Sequence, residues 1–151
     1  MKLSPLYLAT IRRVHVEFLL SAPDLDPAEV SLALHIKPSR SARRGEERRN
    51  PRGTLLSPHK EGWWELSSEG KVKSKDINKH FEYLLKRLLP RREIILRFAK
   101  DKGGETFFDV LWENTYLYAG NGPLLSNQSI KGMAELNAGI GFDIYQINES
   151  D

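Results

Sequence analysis

Arg13–Leu20 reads RVHVEFLL. Val14, Val16, Phe18 and Leu20 alternate with Arg13, His15, Glu17 and Leu19, the period-two pattern of a strand with one buried face. Its apolar side needs a covering layer, and the flanking sequence offers helices for it. In Ser21–Leu34, SAPDLDPAEVSLAL, Asp26 stands as an N-cap, Pro27 occupies the first helical position and Glu29 supplies an acid in the first turn. Val30, Ala33 and Leu34 form the apolar stripe of that short helix.

Gly62–Ser67, GWWELS, restarts the alternation, with Trp64 and Leu66 on one side and Trp63 and Glu65 on the other. Lys75–Leu89 carries Ile77, Phe81, Leu84, Leu85 and Leu88 at helical spacing; Ser74 is its expected cap and Pro90 its end. Glu93–Ala99 and Thr106–Tyr118 are apolar-rich and predict two strands, joined as a hairpin through Lys100–Glu105 (KDKGGE). Past Gly120–Pro123, the spacing of Ile130, Met133, Ala134 and Leu136 predicts a helix over Asn127–Asn137, capped by Gly139. Ile140–Ile147, IGFDIYQI, predicts the last strand. The order is strand, helix, loop, strand, helix, hairpin, helix, strand. It predicts an α+β fold related to the ferredoxin-like class, with an antiparallel or mixed sheet and helices packed on one face.

The chain of 151 residues has the length of one domain, 1–151, and 40% hydrophobic and 28% charged residues are globular proportions. No apolar run approaches the roughly 18 residues of a membrane span, and Met1–Arg13 has no signal-peptide pattern. With no cysteine, disulfides, thiolate zinc sites and cysteine nucleophiles are excluded, which fits a cytoplasmic location. The net charge of +3 hides an asymmetry. Lys131 is the one basic residue after position 103, against seven acids. Any charged partner therefore meets a signed patch of the surface.

The densest charge lies in the aperiodic loop of about residues 35–61. There Arg40, Arg43, Arg44, Arg48, Arg49 and Arg52 are offset only by Glu46 and Glu47. Guanidinium forks bind phosphates, but the segment has no interleaved aromatic residue for stacking bases. It suits nucleic acid, an acidic protein or plain solvation. Lys86, Arg87, Arg91 and Arg92 form a second basic group, explained by the dipole at a helix end.

PDLDPAEVSLALHIKPS, Gly45, WWELS, the amphipathic helix and the terminal GFDIY, in that order, resemble the bacterial family DUF4279. The resemblance covers roughly Val14 to Tyr145. It implies a small intracellular α+β domain and brings no catalytic residues with it. The arginine-rich loop departs from the family pattern. Some small proteins of this kind sit beside toxin genes as immunity proteins.

If Val14, Val16, Phe18, Trp64, Leu66, Phe108, Val110, Trp112, Phe142 and Ile144 face the helices, strand phase fixes the other face. It collects His15, Glu17, Trp63, Glu65, Asp109, Leu111, Glu113, Asp143 and Tyr145. Glu17, Trp63, Glu65, Asp109, Glu113, Asp143 and Tyr145 are the candidate partner-binding residues. The carboxylates disfavour RNA on this surface and suit a basic protein.

No Walker loop, dinucleotide fingerprint, GxSxG elbow or HExxH motif is present, and His15, His35, His59 and His80 lack metal-ligand spacing. The expectation is a non-catalytic protein without cofactor or metal that binds a protein partner, specifically an immunity-type protein neutralising a toxin. A nucleic-acid-associated protein using the arginine loop is the alternative. A Mg²⁺-dependent enzyme built on Glu17, Asp109, Glu113 and Asp143 is a third reading.

Overall fold

The computed structural model describes residues 1–115 and 122–148. Its elements are α1 (Pro5–Ala9), β1 (Ile11–Ala22), α2 (Pro27–Leu34), β2 (Arg40–Ala42), β3 (Arg48–Arg49), β4 (Leu55–Leu56) and β5 (Gly62–Ser67). They continue with α3 (Ile77–Leu88), a 3₁₀ turn at Leu89–Arg91, α4 (Arg92–Lys102), β6 (Glu105–Thr115), α5 (Asn127–Glu135) and β7 (Gly139–Ile147). The fold is α+β. Five strands form one mixed sheet in the order β2-β5-β1-β6-β7, antiparallel except for the parallel pair β6–β7. No helix among the described residues is long and apolar enough to cross a membrane.

The strand opened by RVHVEFLL is the centre of the sheet. β1 pairs with β5 on one side, Phe18 opposite Leu66, and with β6 on the other, Phe18 opposite Phe108. On the helix side Phe18 meets Phe108 (ring centroids 5.2 Å apart) and the edge of Trp64 (6.5 Å), and Phe81 of α3 lies 5.3 Å from Phe108. Offset and edge-on rings of this kind add to the burial of the rings themselves. Around them, Val14, Val16, Leu20, Leu66, Val110 and Trp112 from the sheet meet Val30, Leu84, Leu88, Ile95 and Met133 from the helices.

The start of α2 follows the sequence pattern: Asp26 Oδ1 accepts the Ala28 N–H at 2.9 Å and Pro27 opens the helix. The Trp64 indole N–H donates to Ser31 Oγ at 3.0 Å, fixing α2 over β5. α3 begins later than Ser74 suggests. Asp76 is its N-cap, and Ser74 Oγ accepts the Asp76 N–H instead.

One element changes type. Glu93–Ala99, expected as a strand in a hairpin, lies within helix α4, and KDKGGE is not a hairpin turn. Ile94, Ile95, Phe98 and Ala99 fall on one side of that helix and pack on the core. Glu93 in the first turn and Lys100 and Lys102 in the last suit the helix dipole, and Gly103 caps the end at φ 63°. Pro90 stops α3, but the 3₁₀ turn carries the chain straight into α4. Arg91 pins this bend by donating to the carbonyls of Leu34 and Arg87. The α3–α4 pair is thus the crossover that takes the chain from β5, past β1, to β6.

Smaller differences concern ends and edges. α1 was given no sequence signal above and is capped by Ser4. α5 stops at Glu135; Asn137 takes the positive φ expected of Gly139, which instead begins β7. Tyr116–Tyr118, expected as the end of β6, lie outside the described residues. Phe142 and Ile144 are in register with Val110 and Trp112, hence on the helix side as expected, yet they are 40% and 53% exposed. β7 is the edge strand, and the described helices do not reach over these two side chains.

Candidate functional site on the open sheet face

On the side away from the helices the register assembles one surface. β1 presents Arg13, His15, Glu17 and Leu19; β5 presents Trp63, Glu65 and Ser67; β6 presents Phe107, Asp109, Leu111 and Glu113; β7 presents Asp143 and Tyr145. All seven residues expected on this face are on it. Two further residues join from outside the long strands. Arg40 reaches in from β2, and Glu69 from the turn after β5.

The face has two halves. On the β5–β1 side the charges are cross-linked, with Glu17, Glu65 and His15 mostly enclosed and Arg13, Arg40 and Glu69 more than half exposed. Arg40 donates to both Glu65 oxygens at 2.8 Å and lies 3.5 Å from Glu17. The Glu65 side chain is only 3% exposed, so its carboxylate belongs to Arg40 and is not available to a partner. Arg13 bonds Glu69 at 2.5 Å and stands 3.8 Å from Glu113. His15, 9% exposed, sits between Glu17 (3.5 Å from Nε2) and Glu69 (3.9 Å from Nδ1). Its Nδ1 is buried and has no hydrogen-bond partner among the described residues.

These surroundings move the proton affinities. Burial, reinforced by Glu65, raises the Glu17 carboxyl above the usual range, with Arg40 pulling the other way. Burial holds the His15 ring below its ordinary value. Hydrogen bonding from Arg13 keeps Glu69 low.

The β6–β7 half is open. Asp109 lies beside Gly141 and Asp143 beside Leu111, and neither acid has an ion-pair partner among the described residues. Burial and then the neighbouring Asp143 raise the Asp109 carboxyl. The Phe107 ring lies over Gly139 and Gly141, where a Cβ at Gly141 would come within 2.9 Å of it. Tyr145 and Phe107 are exposed, and the outer edge of β7 pairs with no strand among the described residues. Trp63, on the same face, is half-buried: its indole N–H donates to His59 Nδ1 at 3.1 Å, so the preceding loop holds it.

The arginine segment is not a structureless loop. Arg40–Ala42 joins the sheet as β2, and β3 and β4 form a small hairpin closed by Asn50, whose side chain accepts the N–H groups of Arg52 and Thr54. Arg40 therefore belongs to the sheet network. Arg43 is held by Asp26 (3.0 Å), Arg44 by Asp24 (3.2 Å) and Arg49 by Glu47 (2.6 Å). Arg48 and Arg52 make no ion pair among the described residues.

One buried pair escaped the sequence reading. Ser68 Oγ lies 2.8 Å from His80 Nδ1, and His80 Nε2 lies 2.7 Å from the Ser74 carbonyl. The carbonyl requires a proton on Nε2, so the Ser68 hydroxyl donates to Nδ1 while accepting the Val16 N–H. Both residues are fully enclosed, with no path for a substrate, and the pair ties α3 to the central strand. Glu69 was also missed, although pairing carries it into place: the antiparallel register that sets Glu17 across from Ser67 brings residue 69 beside His15.

A single mixed sheet with helices on one side and a charged, partly open face on the other defines the class: a small α+β domain. Residues 12–147 match the family described as a domain of unknown function, DUF4279, and the chain belongs to it. Comparison with curated proteins and with solved structures found no match.

Proposed function

We propose that this chain is a non-catalytic protein-binding domain of immunity type, acting inside the cell, that docks a basic surface of a cognate toxin on the β6–β7 half of its open sheet face. The observation that carries this reading is the pairing of two acids without an ion-pair partner among the described residues, Asp109 and Asp143, with exposed Phe107 and Tyr145 beside a strand edge that no described strand pairs. Aromatic anchors supply burial in a protein interface, and the acids steer a partner of opposite charge. A strand edge offers main-chain hydrogen bonds to an incoming segment. The ion-paired β5–β1 half borders this surface.

The other two readings have less support. Four of the six loop arginines are already engaged by carboxylates, leaving Arg48 and Arg52 for a phosphate backbone. The four acids named for a metal-dependent enzyme are not a ligand grouping among the described residues: Glu17 stands opposite Asp109 but faces Arg40 and His15, Glu113 lies near Arg13, and Asp143 is on the edge strand.

Co-expression with the protein encoded beside this chain tests the reading. A one-to-one complex that relieves that protein's toxicity is expected. Co-purification of nucleic acid in place of a protein contradicts it.

A further inference from the structure

We propose that His15, Glu17 and Glu69 form a zinc-binding site on the β1 side of the open face. One ligand atom from each residue lies within 4.8 Å of the others. Imidazole and carboxylate are donors that zinc accepts, and three protein ligands with a remaining open position are a familiar zinc arrangement. Around a tetrahedral ion such donors stand roughly 3.4 Å apart. With Nδ1 as the ligand nitrogen, its 3.9 Å separation from Glu69 is close to that, and Glu69, about half exposed, has room to close the rest; Glu17 lies 3.5 Å from the other ring nitrogen, Nε2, and its carboxylate turns toward Nδ1 to complete the set.

A second observation, independent of the acids, points to a ligand. His15 is nine-tenths buried, its Nδ1 has no hydrogen-bond partner among the described residues, and that atom faces Glu69 across 3.9 Å. Glu17 is similarly under-served: its closest cationic contact is 3.5 Å from Arg40, which gives its two short bonds to Glu65. A buried imidazole with a vacant nitrogen and a weakly paired, partly buried carboxylate side by side are costly as they stand. A zinc ion on Nδ1 satisfies the imidazole, and the Glu17 carboxylate gains a cation by turning to the same ion. Arg40 stays on Glu65 when it binds. Arg13, half exposed and bonded to Glu69, is the competing cation and swings away.

The site requires no partner protein, so the test uses the purified chain alone, stripped with EDTA and titrated with ZnCl₂ by calorimetry and thermal unfolding. Binding of one equivalent with a rise in Tm is expected. His15→Gln and Glu69→Gln weaken binding by about tenfold or more, a loss at least as large as that from removing an outer-shell partner. Glu69→Gln changes an exposed side chain and leaves the fold intact, so its result is readable even if His15→Gln unfolds. Arg13→Gln removes the competitor and tightens binding. Absence of zinc binding in the wild type, equal affinity in Glu69→Gln, or weaker binding in Arg13→Gln overturns the proposal.

Discussion

Arg40 and Glu65 face each other across β2 and β5 in a two-pronged bond, Nε to Oε1 and Nη2 to Oε2, each 2.8 Å. The arginine head is in water while the carboxylate is enclosed, so the pair is unequal: Glu65 depends on Arg40 far more than the reverse. Removing the arginine leaves a buried charge with no cation at bonding distance. Arg40→Met is expected to destabilise the domain by about 2–3 kcal/mol. Arg40→Met combined with Glu65→Met recovers most of that, because a packed apolar pair replaces the ion pair. Urea unfolding of the single and double variants checks both; a double variant no more stable than the single contradicts the dependence.

Acid stability follows from two buried histidines. Burial lowers the proton affinity of both His80 and His15 relative to the ordinary 6.5. Below pH 6.5 the unfolded chain takes up protons that the folded chain refuses, so stability falls as pH drops from that value. Glu17 and Asp109, raised by burial, act oppositely: the folded chain holds their protons longer, so stability falls as pH rises through the range just above their ordinary 4.5 and 3.8. In wild type the histidines are expected to dominate between neutrality and pH 5. His80→Gln lowers stability at pH 7.5 by about 1–3 kcal/mol through the Ser68 and Ser74 bonds and flattens the acid slope. His15→Gln with His80→Gln reverses its sign. Unfolding midpoints across a pH series read both effects.

At the start of β5 the chain passes so close to the turn before α2 that a Cβ on Gly62 would sit 1.9 Å from the Leu25 carbonyl oxygen. The obstacle is backbone, so the two segments must separate. Gly62→Ala is expected to cost about 3 kcal/mol by thermal or urea unfolding. Gly122→Ala, whose Cβ meets nothing within 4 Å among the described residues, changes stability by less than about 0.5 kcal/mol.

Docking through the acidic half carries its own pH signature. Asp109, raised by burial and by Asp143, takes up a proton at higher pH than an ordinary aspartate. Affinity for a basic partner is expected to fall on acidification, starting at higher pH than an ordinary aspartate would set, and Asp109→Asn should make binding weaker at neutral pH but less sensitive to acid. Surface plasmon resonance at several pH values and salt concentrations measures this; an affinity indifferent to salt would exclude electrostatic docking.

Period two placed the core of β1, β5 and β6 correctly because a sheet covered on one face imposes it residue by residue. Caps marked α2 for the same reason: Asp26 and Pro27 act locally. Glu93–Ala99 was misread since a short run rich in isoleucine and phenylalanine satisfies a strand or one side of a helix equally. Only its packing across β1 and β6 decides. The face itself was legible, but its division was not. Arg40 looked like one more loop arginine until β2 paired it with Glu65, and Glu69 enters only through register. Exposure of Phe142 and Ile144 depends on how far the helices reach, which no local pattern encodes.

The most direct test of the proposed role is affinity purification from the native host with three baits: wild type, Asp109→Lys with Asp143→Lys, and Arg48→Ser with Arg52→Ser. The expected result is one stoichiometric protein recovered by the wild type and the loop variant and lost from the sheet-face variant. Recovery of nucleic acid, or a partner kept by the sheet-face variant and lost from the loop variant, would contradict it.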